Sequence, residues 1–460
     1  MLEKNKKMAK RIAAAVSEAG GRTFYVGGYV RDQILGKDNK DIDIEVHGIP
    51  VQKLEQILDM LGKITRMGAS FGILGLQHYD IDISMPRAEK GGRQGYKDFD
   101  ESVDPFVGYE KAAIRRDFTM NALMQDVLTE EILDFFGGVT DIGQHRIRHV
   151  NDKTFSEDPL RVFRAAQFAS RFDFEIAEET IELAENIDVS GISGERIMTE
   201  LEKTLLKSKR PSTFFRELRK MNQLSIWFPE LEALIGIPQD PNYHPEGDVW
   251  EHTMQVIDQA ALLRDLSSDP LAFMISAMCH DFGKTVTSEA VNGRVHAYGH
   301  EIEGLTVAEQ FLDRITTDKK LLKYVLNMIK LHMQPNQIVR SRAHKKSFMK
   351  MFDRSICPED LLLLAKADSL GRKSENSDDL NAGSGYEETE AILRQMLTGY
   401  HDLMSRPYVM GKDLIEAGIE PGPLMGEGLA YAHKLRLAGV PKEHQLSQTL
   451  AYIQKSERQD

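Results

Sequence analysis

The sequence predicts an α+β protein in which one strand-bearing domain at the start is followed by helices alone. Three observations carry that expectation. Between residue 23 and about residue 145, short β-rich runs (TFYV, DIDIEV, GILGLQHYDIDIS, ILDFFGG) alternate with helical stretches such as VQKLEQILDMLG. Beyond that point the strand signals stop and apolar residues recur at helical spacing, from EDPLRVFRAAQFASRF through ELEKTLLKSKRPSTFFRELRKM to WFPELEALIG. The 460 residues with 41% apolar composition are enough for several cores, about three at roughly 150 residues per domain.

Taken in order, the opening MLEKNKKMAKRIAAAVSEAGG reads as an amphipathic helix, because charge interrupts it too early for a signal peptide. No run approaches the roughly 20 uninterrupted apolar residues of a membrane span, so no membrane partner is expected. The two cysteines, Cys279 and Cys357, form no disulfide framework and fit a reducing cytoplasm. From Met85 to Glu110 a polar, Gly-rich stretch shows little periodicity, and a loop of that length is expected to be functional or disordered. The turn-rich GIPQDPNYHPEGD reads as a linker into a second helical, histidine-containing region, and GRKSENSDDLNAGSG as the boundary before a short helical tail. The expected division is a head at 1–145, a helical neck at 146–235, a histidine-containing domain at 236–380 and a tail at 381–460.

The net charge of −13 argues against a protein that coats nucleic acid through bulk electrostatics, since phosphate contacts need Lys and Arg. Positive charge is nonetheless concentrated around Lys203–Lys220 and Arg340–Lys350, as a basic track or as two solvated helix faces.

The first chemically suggestive segment is the strand TFYV running into Gly27 and Gly28 and then a helix with Arg31, an arrangement suited to phosphate. In the next strand, DIDIEV, Asp41 and Asp43 are two apart and project from one face, while Ile42 and Ile44 anchor the other in a core. Like charges on one face favour a cation that neutralises them, and magnesium suits oxygen ligands of this kind. YDIDIS repeats the pattern with Asp80 and Asp82, one of which completes a carboxylate triad for two ions spanning a triphosphate.

The ordered set GGYVRD, DIDIEV, YDIDISMPRAE, RRDFTMNAL, DFFGGVTDI and EDPLRVFRAAQF resembles the head and neck of class II nucleotidyltransferases, the bacterial CCA-adding enzymes and their poly(A) polymerase relatives. The resemblance covers about the first 230 residues and implies a polymerase-β-like head with a mixed sheet, followed by an all-α neck. It makes Asp41 and Asp43 ligands of Mg2+ and Asp82 the third carboxylate and base toward the RNA 3′-hydroxyl, with Asp80 and Glu45 as bystanders. Gly27, Gly28 and Arg31 match triphosphate-binding positions; Arg116, Asp117, Asn121 and Arg164 match positions near the sugar and phosphates. Asp158 and Arg161 match the pair that stands in for a template, chemically apt because carboxylate and guanidinium together read the amino-bearing edges of cytosine and adenine. Their spacing of three is expected to put both on one helix face. Gln167 departs from the arginine common at its position in the family, which removes phosphate attraction there. The full polar loop after Pro86 favours addition of CCA over CC alone.

In the second region, WEHTM, CHDFGK, YGHEIEG, KLHMQ and AKADSLG spread His252, His280, Asp281, His300, His332 and Asp368 over helices, a donor set that suits a transition metal. The series resembles the HD phosphohydrolase superfamily and implies an all-α HD domain holding nickel, manganese, cobalt or iron. Metal ligands match His252, His280, Asp281 and Asp368; His300 and His332 match positions for a second metal or for phosphate. Lys284 is a further candidate for holding phosphate. The tail segment RPYVMGKDLIEAGIEPGPLMGEGL resembles the C-terminal portion of CCA-adding enzymes, a tRNA-binding candidate.

Together these resemblances imply addition of CCA to tRNA from CTP and ATP, with phosphodiesterase or phosphatase activity on 2′,3′-cyclic phosphates and phosphomonoesters. The rivals are a poly(A) polymerase or A-adding enzyme, a stringent-response-type nucleotide regulator, and a non-catalytic RNA-binding module. Monomer and homodimer are equally open.

Overall fold

The computed structural model describes residues 2–37, 39, 41–67, 73–89, 101–241, 243–291, 294–372, 386–405 and 408–456. The chain divides into two compact units. One comprises Met1–Ile192 with Thr213–Gln223; the other comprises Ser193–Ser212 with Leu224–Asp460.

The first unit is built on a mixed sheet. Its strands are β1 (Arg22–Val26), β2 (Ile42–His47), β3 (Ile64–Met67), β4 (Ile73–Leu76), β5 (Ile81–Ser84), and, after the separate hairpin β6 (Arg87–Glu89) and β7 (Glu101–Val103), β8 (Met124–Asp126) and β9 (Ile132–Leu133). The order across the sheet is β3-β4-β5-β2-β1-β8-β9. Only β2 and β5 run parallel in it, and their register pairs Ile42 with Ile81, Asp43 with Asp82 and Ile44 with Ile83. Side chains alternate across a strand, so the isoleucines, all at most 1% exposed, bury one face while the aspartates share the other. The Leu2–Glu18 helix supplies part of the cover, with Met8, Ile12 and Val16 buried at one-turn spacing.

The stretch after Met85 was expected to be a loop, and the described part of it instead forms β6 and β7, paired antiparallel from Arg87↔Val103 to Glu89↔Glu101. Three-residue strands are too short to show a period-two pattern. Residues 90–100, the centre of that expected loop, lie outside the described residues, as does most of GRKSENSDDLNAGSG.

Described by itself, the second unit is helical apart from a hairpin, Glu289–Val291 with Arg294–His296. Its helices include Val249–Leu263, Pro270–Cys279, His300–Ile315, Lys319–Leu331 and Pro358–Leu370. Asp360 is almost fully buried and ties three segments together, accepting from Ser268 N–H and Oγ and from Tyr324 Oη. The C-terminal helices Pro423–Leu437 and Lys442–Ser456 close a small core around Leu414, Met425, Ala432 and Ile453. No described helix is long and apolar enough to cross a membrane.

Close backbone approach at Gly283 sets the position of the His300 helix. A Cβ built at Gly283 would stand 2.0 Å from His300 O and 2.7 Å from Gly304 N, so neither backbone can yield without moving a helix. Gly283→Ala is therefore expected to lower stability by on the order of 3 kcal/mol, the upper range for overpacking. Urea unfolding of the wild-type and variant proteins measures it.

Candidate functional site

In the head, β2 and β5 place Asp43 and Asp82 side by side on the open face of the sheet. Asp41 stands just before β2, exposed, with its N–H donating to Asn39 Oδ1 at 3.0 Å. Partial burial and then the neighbouring charge of Asp82 push the Asp43 carboxyl up to about 6, Asp41 adding to the rise and Arg116 opposing it. Asp82 is likewise raised, by burial first and then by Asp80 and Asp41. Carboxylates that raise one another's proton affinity are relieved by a bound cation, so this donor set fits a divalent ion.

The glycine turn meets these carboxylates. Gly27 has φ 64° and ψ −131°, and a Cβ there would stand 3.5 Å from Arg116 Nη1 and 4.0 Å from Asp43 Oδ2. Only glycine holds this positive φ without strain. At Gly28 the same construction falls 3.3 Å from Arg31 Nη2.

Behind the turn the motif residues form one connected network. Arg31 is only 3% exposed; it pairs with Asp32 at 2.6 Å and donates to Asn121 Oδ1 at 2.7 Å. Asn121 Nδ2 donates to Asp117 at 2.9 Å, and Arg164 meets the other Asp117 oxygen at 2.6 Å. Burial alone would raise the Asp117 carboxyl, but Arg164 and Asn121 hold it below the usual carboxylate range. Asp117 and Arg31 thus stand as buried supports, with the half-exposed Arg164 and Arg116 nearer solvent. Gln167 is 1% exposed.

Asp158 and Arg161 differ from the expectation of one helix face. Asp158 is the extended residue that ends the Asp152–Glu157 helix (φ −123°, ψ 96°), and Arg161 sits in the first turn of the next helix, Leu160–Phe172. The physical reason is Pro159, whose ring disfavours helical backbone in the residue before it. Arg161 Nη1 and Nη2 donate to the carbonyls of Thr154 at 2.7 Å and Arg115 at 2.6 Å, which fixes the plane of the guanidinium.

The second unit brings its six predicted residues together. Asp281 is shared between two groups: its Oδ2 lies 3.2 Å from His280 Nε2 and 3.6 Å from His252 Nε2, and its Oδ1 lies 3.3 Å from His300 Nε2 and 3.8 Å from His332 Nε2. Asp368 Oδ1 is 3.2 Å from His252 Nε2. The Nδ1 atoms of His280, His300 and His332 face the carbonyls of Ala277, Ala297 and Ile329 at 2.7–2.8 Å, so each ring turns Nε2 inward. The ligand atoms of His252, His280 and Asp281 are buried and lie within 4.8 Å of one another, a donor set that fits a metal. His280 and then Lys284 hold Asp281 well below the usual carboxylate range against the effect of burial, while burial and the adjacent His300 push His332 down to about 3. Lys284 Nζ already meets Asp281 Oδ2 and Gln239 Oε1, each at 2.7 Å. Asp281, Lys284, His300, His332 and Asp368 line a cleft of about 450 Å³ with Tyr243, Tyr298, Arg340 and Arg372 at its walls.

Two buried carboxylates that contact candidate residues had no role in the reading of the sequence. Glu45, expected to be a bystander, accepts from Arg116 Nη2 at 3.2 Å. Glu246, inside the segment read as a linker, is completely buried and lies 2.7 Å from His252 Nδ1 and 2.8 Å from His244 Nδ1. His252 is three residues into its helix and is oriented by this carboxylate where the other three rings use a carbonyl. The signal was present as the acidic residue of HPEGD a few positions before WEH.

Comparison with known proteins identifies the domains that hold these residues. Family models match residues 23–148 as the "Poly A polymerase head domain", 173–235 as the "Probable RNA and SrmB- binding site of polymerase A" and 249–373 as the "HD domain". The fold and sites therefore define a nucleotidyltransferase head joined to an HD domain, a combination that implies dependence on divalent metal. The chain is 34% identical to the multifunctional CCA protein of Pasteurella multocida over 88% of its own length and 94% of that protein's, and 32% identical to that of Xylella fastidiosa over 89% and 95%. It belongs to the multifunctional CCA protein family. In fold it is similar to the Bacillus stearothermophilus CCA-adding enzyme in complex with CTP, with a TM-score of 0.66 at 19% identity over 99% of both chains. The Thermotoga maritima CCA-adding enzyme complexed with tRNA gives 0.62 at 20% identity over 97% of this chain and 95% of that one.

Because a carboxylate behind a ligating imidazole fixes its orientation and strengthens it as a donor, Glu246→Gln is expected to weaken metal binding to the second unit by about 10- to 100-fold. Competition against a chelator with Mn2+ or Ni2+ measures it; unchanged affinity contradicts the assigned role.

Proposed function

We propose that this chain completes the 3′ end of tRNA by adding C, C and A from CTP and ATP without a template. The observation that carries the reading is the in-register pair Asp43 and Asp82 beneath the Gly27 turn. Asp41, Asp43 and Asp82 would hold Mg2+, which when bound supplies charge neutralisation for the triphosphate and the departing pyrophosphate. Asp82 accepts the proton of the attacking RNA hydroxyl. Gly27 and Gly28 let the triphosphate approach the backbone, and Arg116 and Arg164 add positive charge beside it. Asp117, with Asn121 and Arg31 behind it, holds Arg164 in place. Asp158 and Arg161 read the base, Arg161 through the donors of its five that its two backbone carbonyls leave over. The neck at 146–235 would present this pair, and the tail at 381–460 is proposed to meet tRNA. Completion of tRNA ends is consistent with the cytoplasmic location proposed for it.

For the domain at 236–380 we propose phosphoester hydrolysis, with 2′,3′-cyclic phosphates and phosphomonoesters as substrates, so that a blocked RNA end is opened before extension. His252, His280, Asp281 and Asp368, with His300 and His332 around the second Asp281 oxygen, would hold nickel, manganese, cobalt or iron, which when bound supplies an activated water. Lys284, Arg340 and Arg372 give the cleft positive charge for a phosphate.

Incubation with tRNA lacking its terminal CCA and with CTP, ATP or both tests the first activity. C addition from CTP and full extension with both nucleotides are expected; A addition to the bare end without C identifies an A-adding enzyme instead. Asp43→Asn and Asp82→Asn should each lower incorporation on the order of 10³-fold, matching the several kcal/mol an ion contributes to the transition state. Both should leave hydrolysis intact.

The second activity is read as release from a 2′,3′-cyclic nucleotide with added nickel, manganese or cobalt. A double His280→Ala, Asp281→Ala variant should lose it while still extending tRNA, and equal release by wild type and variant removes the hydrolase proposal.

A further inference from the structure

The face of β2 that carries the metal-binding aspartates continues beyond them. Asp43 is followed on the same face by Glu45 and His47, and both are buried, at 8% and 2% exposure. Glu45 stands opposite Phe24 of β1. His47 is held edge-on between the rings of Phe24 and Tyr109, at 5.5 and 5.1 Å. An ionised carboxylate in such an enclosure costs several kcal/mol unless it is paired. Glu45 has two partners: His47 Nε2 at 2.8 Å from Oε1, and Arg116 Nη2 at 3.2 Å from Oε2.

Arg116 is the only one of these groups that reaches the site. Its side chain is 34% exposed, and its second terminal nitrogen, Nη1, faces the Gly27 turn beside Asp43. An arginine beside Asp43 is drawn toward it; released from Glu45, it would pair with Asp43 and compete with the ion proposed to bind there. Glu45 supplies an opposite charge on the far side, and His47 pins Glu45.

We infer that Glu45 is a positioning residue for nucleotide binding: it holds Arg116 by Nη2 so that Nη1 is presented to the triphosphate of the incoming CTP or ATP. The inference rests on the transferase reading of the head. It predicts that the carboxylate acts on nucleotide affinity through Arg116 alone, without touching substrate, and without effect on the RNA.

The test is a double-mutant cycle read as the Kd for CTP with Mg2+ and no RNA, in the full chain. Glu45→Gln should weaken CTP binding about 10- to 100-fold, the range for a lost charge-assisted hydrogen bond. Arg116→Gln should weaken it at least as much, and the double variant should match Arg116→Gln within about twofold. The Kd for tRNA should stay at the wild-type value in Glu45→Gln. Glu45→Asp, which keeps the charge but draws it back from Arg116, should also weaken CTP binding. A wild-type Kd for CTP in Glu45→Gln, or additive effects in the double variant, overturns the inference. Loss of helical circular dichroism in both Glu45 variants overturns it too, in favour of a carboxylate that serves folding. If the wild-type protein itself binds no CTP, the transferase reading falls, and the inference with it; tight wild-type binding with an unaffected Glu45 variant removes the inference alone.

Discussion

The parallel pairing of β2 with β5 is the constraint on which the head depends. It does two things at once: it buries Ile42, Ile44, Ile81 and Ile83 on one face and forces Asp43 and Asp82 together on the other. A shift of one residue in register would send the aspartates into the core and the isoleucines into solvent, so hydrophobic burial fixes the spacing of the charges. Burial raises both the Asp43 and the Asp82 carboxyls, and the charge of Asp82 raises Asp43 further. Core packing supplies the free energy, and the carboxylate pair is left poised for a cation.

The second unit solves a similar problem with a different donor set. One carboxylate, Asp281, is shared by four imidazoles, and every ring is oriented from behind by a hydrogen-bond acceptor. Lys284 and Arg372 balance the charge, on Asp281 and Asp368 respectively. In both units a buried carboxylate, Glu45 in the head and Glu246 in the second, stands against a residue of the proposed site, Arg116 and His252 respectively. Positioning of this kind is costly because the carboxylate must be desolvated, and it is gained back only if the aimed group works better in that place.

What could be read from the sequence followed from local periodicity. Alternation along DIDIEV placed Asp41 and Asp43 on one face because a strand has period two, and the five motifs WEHTM, CHDFGK, YGHEIEG, KLHMQ and AKADSLG located the histidines and aspartates of the second unit before any fold was known. What could not be read was tertiary. Glu45 looked like a bystander because its partner Arg116 lies 71 positions away, and the rings of Phe24 and Tyr109 that enclose its other partner, His47, come from other parts of the chain. Glu246 was lost in a turn-rich segment whose composition is that of a linker. The break between Asp158 and Arg161 was signalled by Pro159, but the three-residue spacing was read as helical. Arg31, expected at the triphosphate, is turned inward by Asp32 and Asn121, neither of which marks itself as its partner in the sequence.

The central claim is that Asp43 and Asp82 grip divalent ions beneath a triphosphate lying over the Gly27 turn. A crystal structure of the protein with CTP and Mn2+, with data recorded at the manganese absorption edge, tests it most directly. The account predicts anomalous density between the two carboxylates and the phosphates of CTP, with the phosphate chain passing Gly27 and Arg116. Anomalous density away from Asp43 and Asp82, or a triphosphate bound on another face of the sheet, would contradict it.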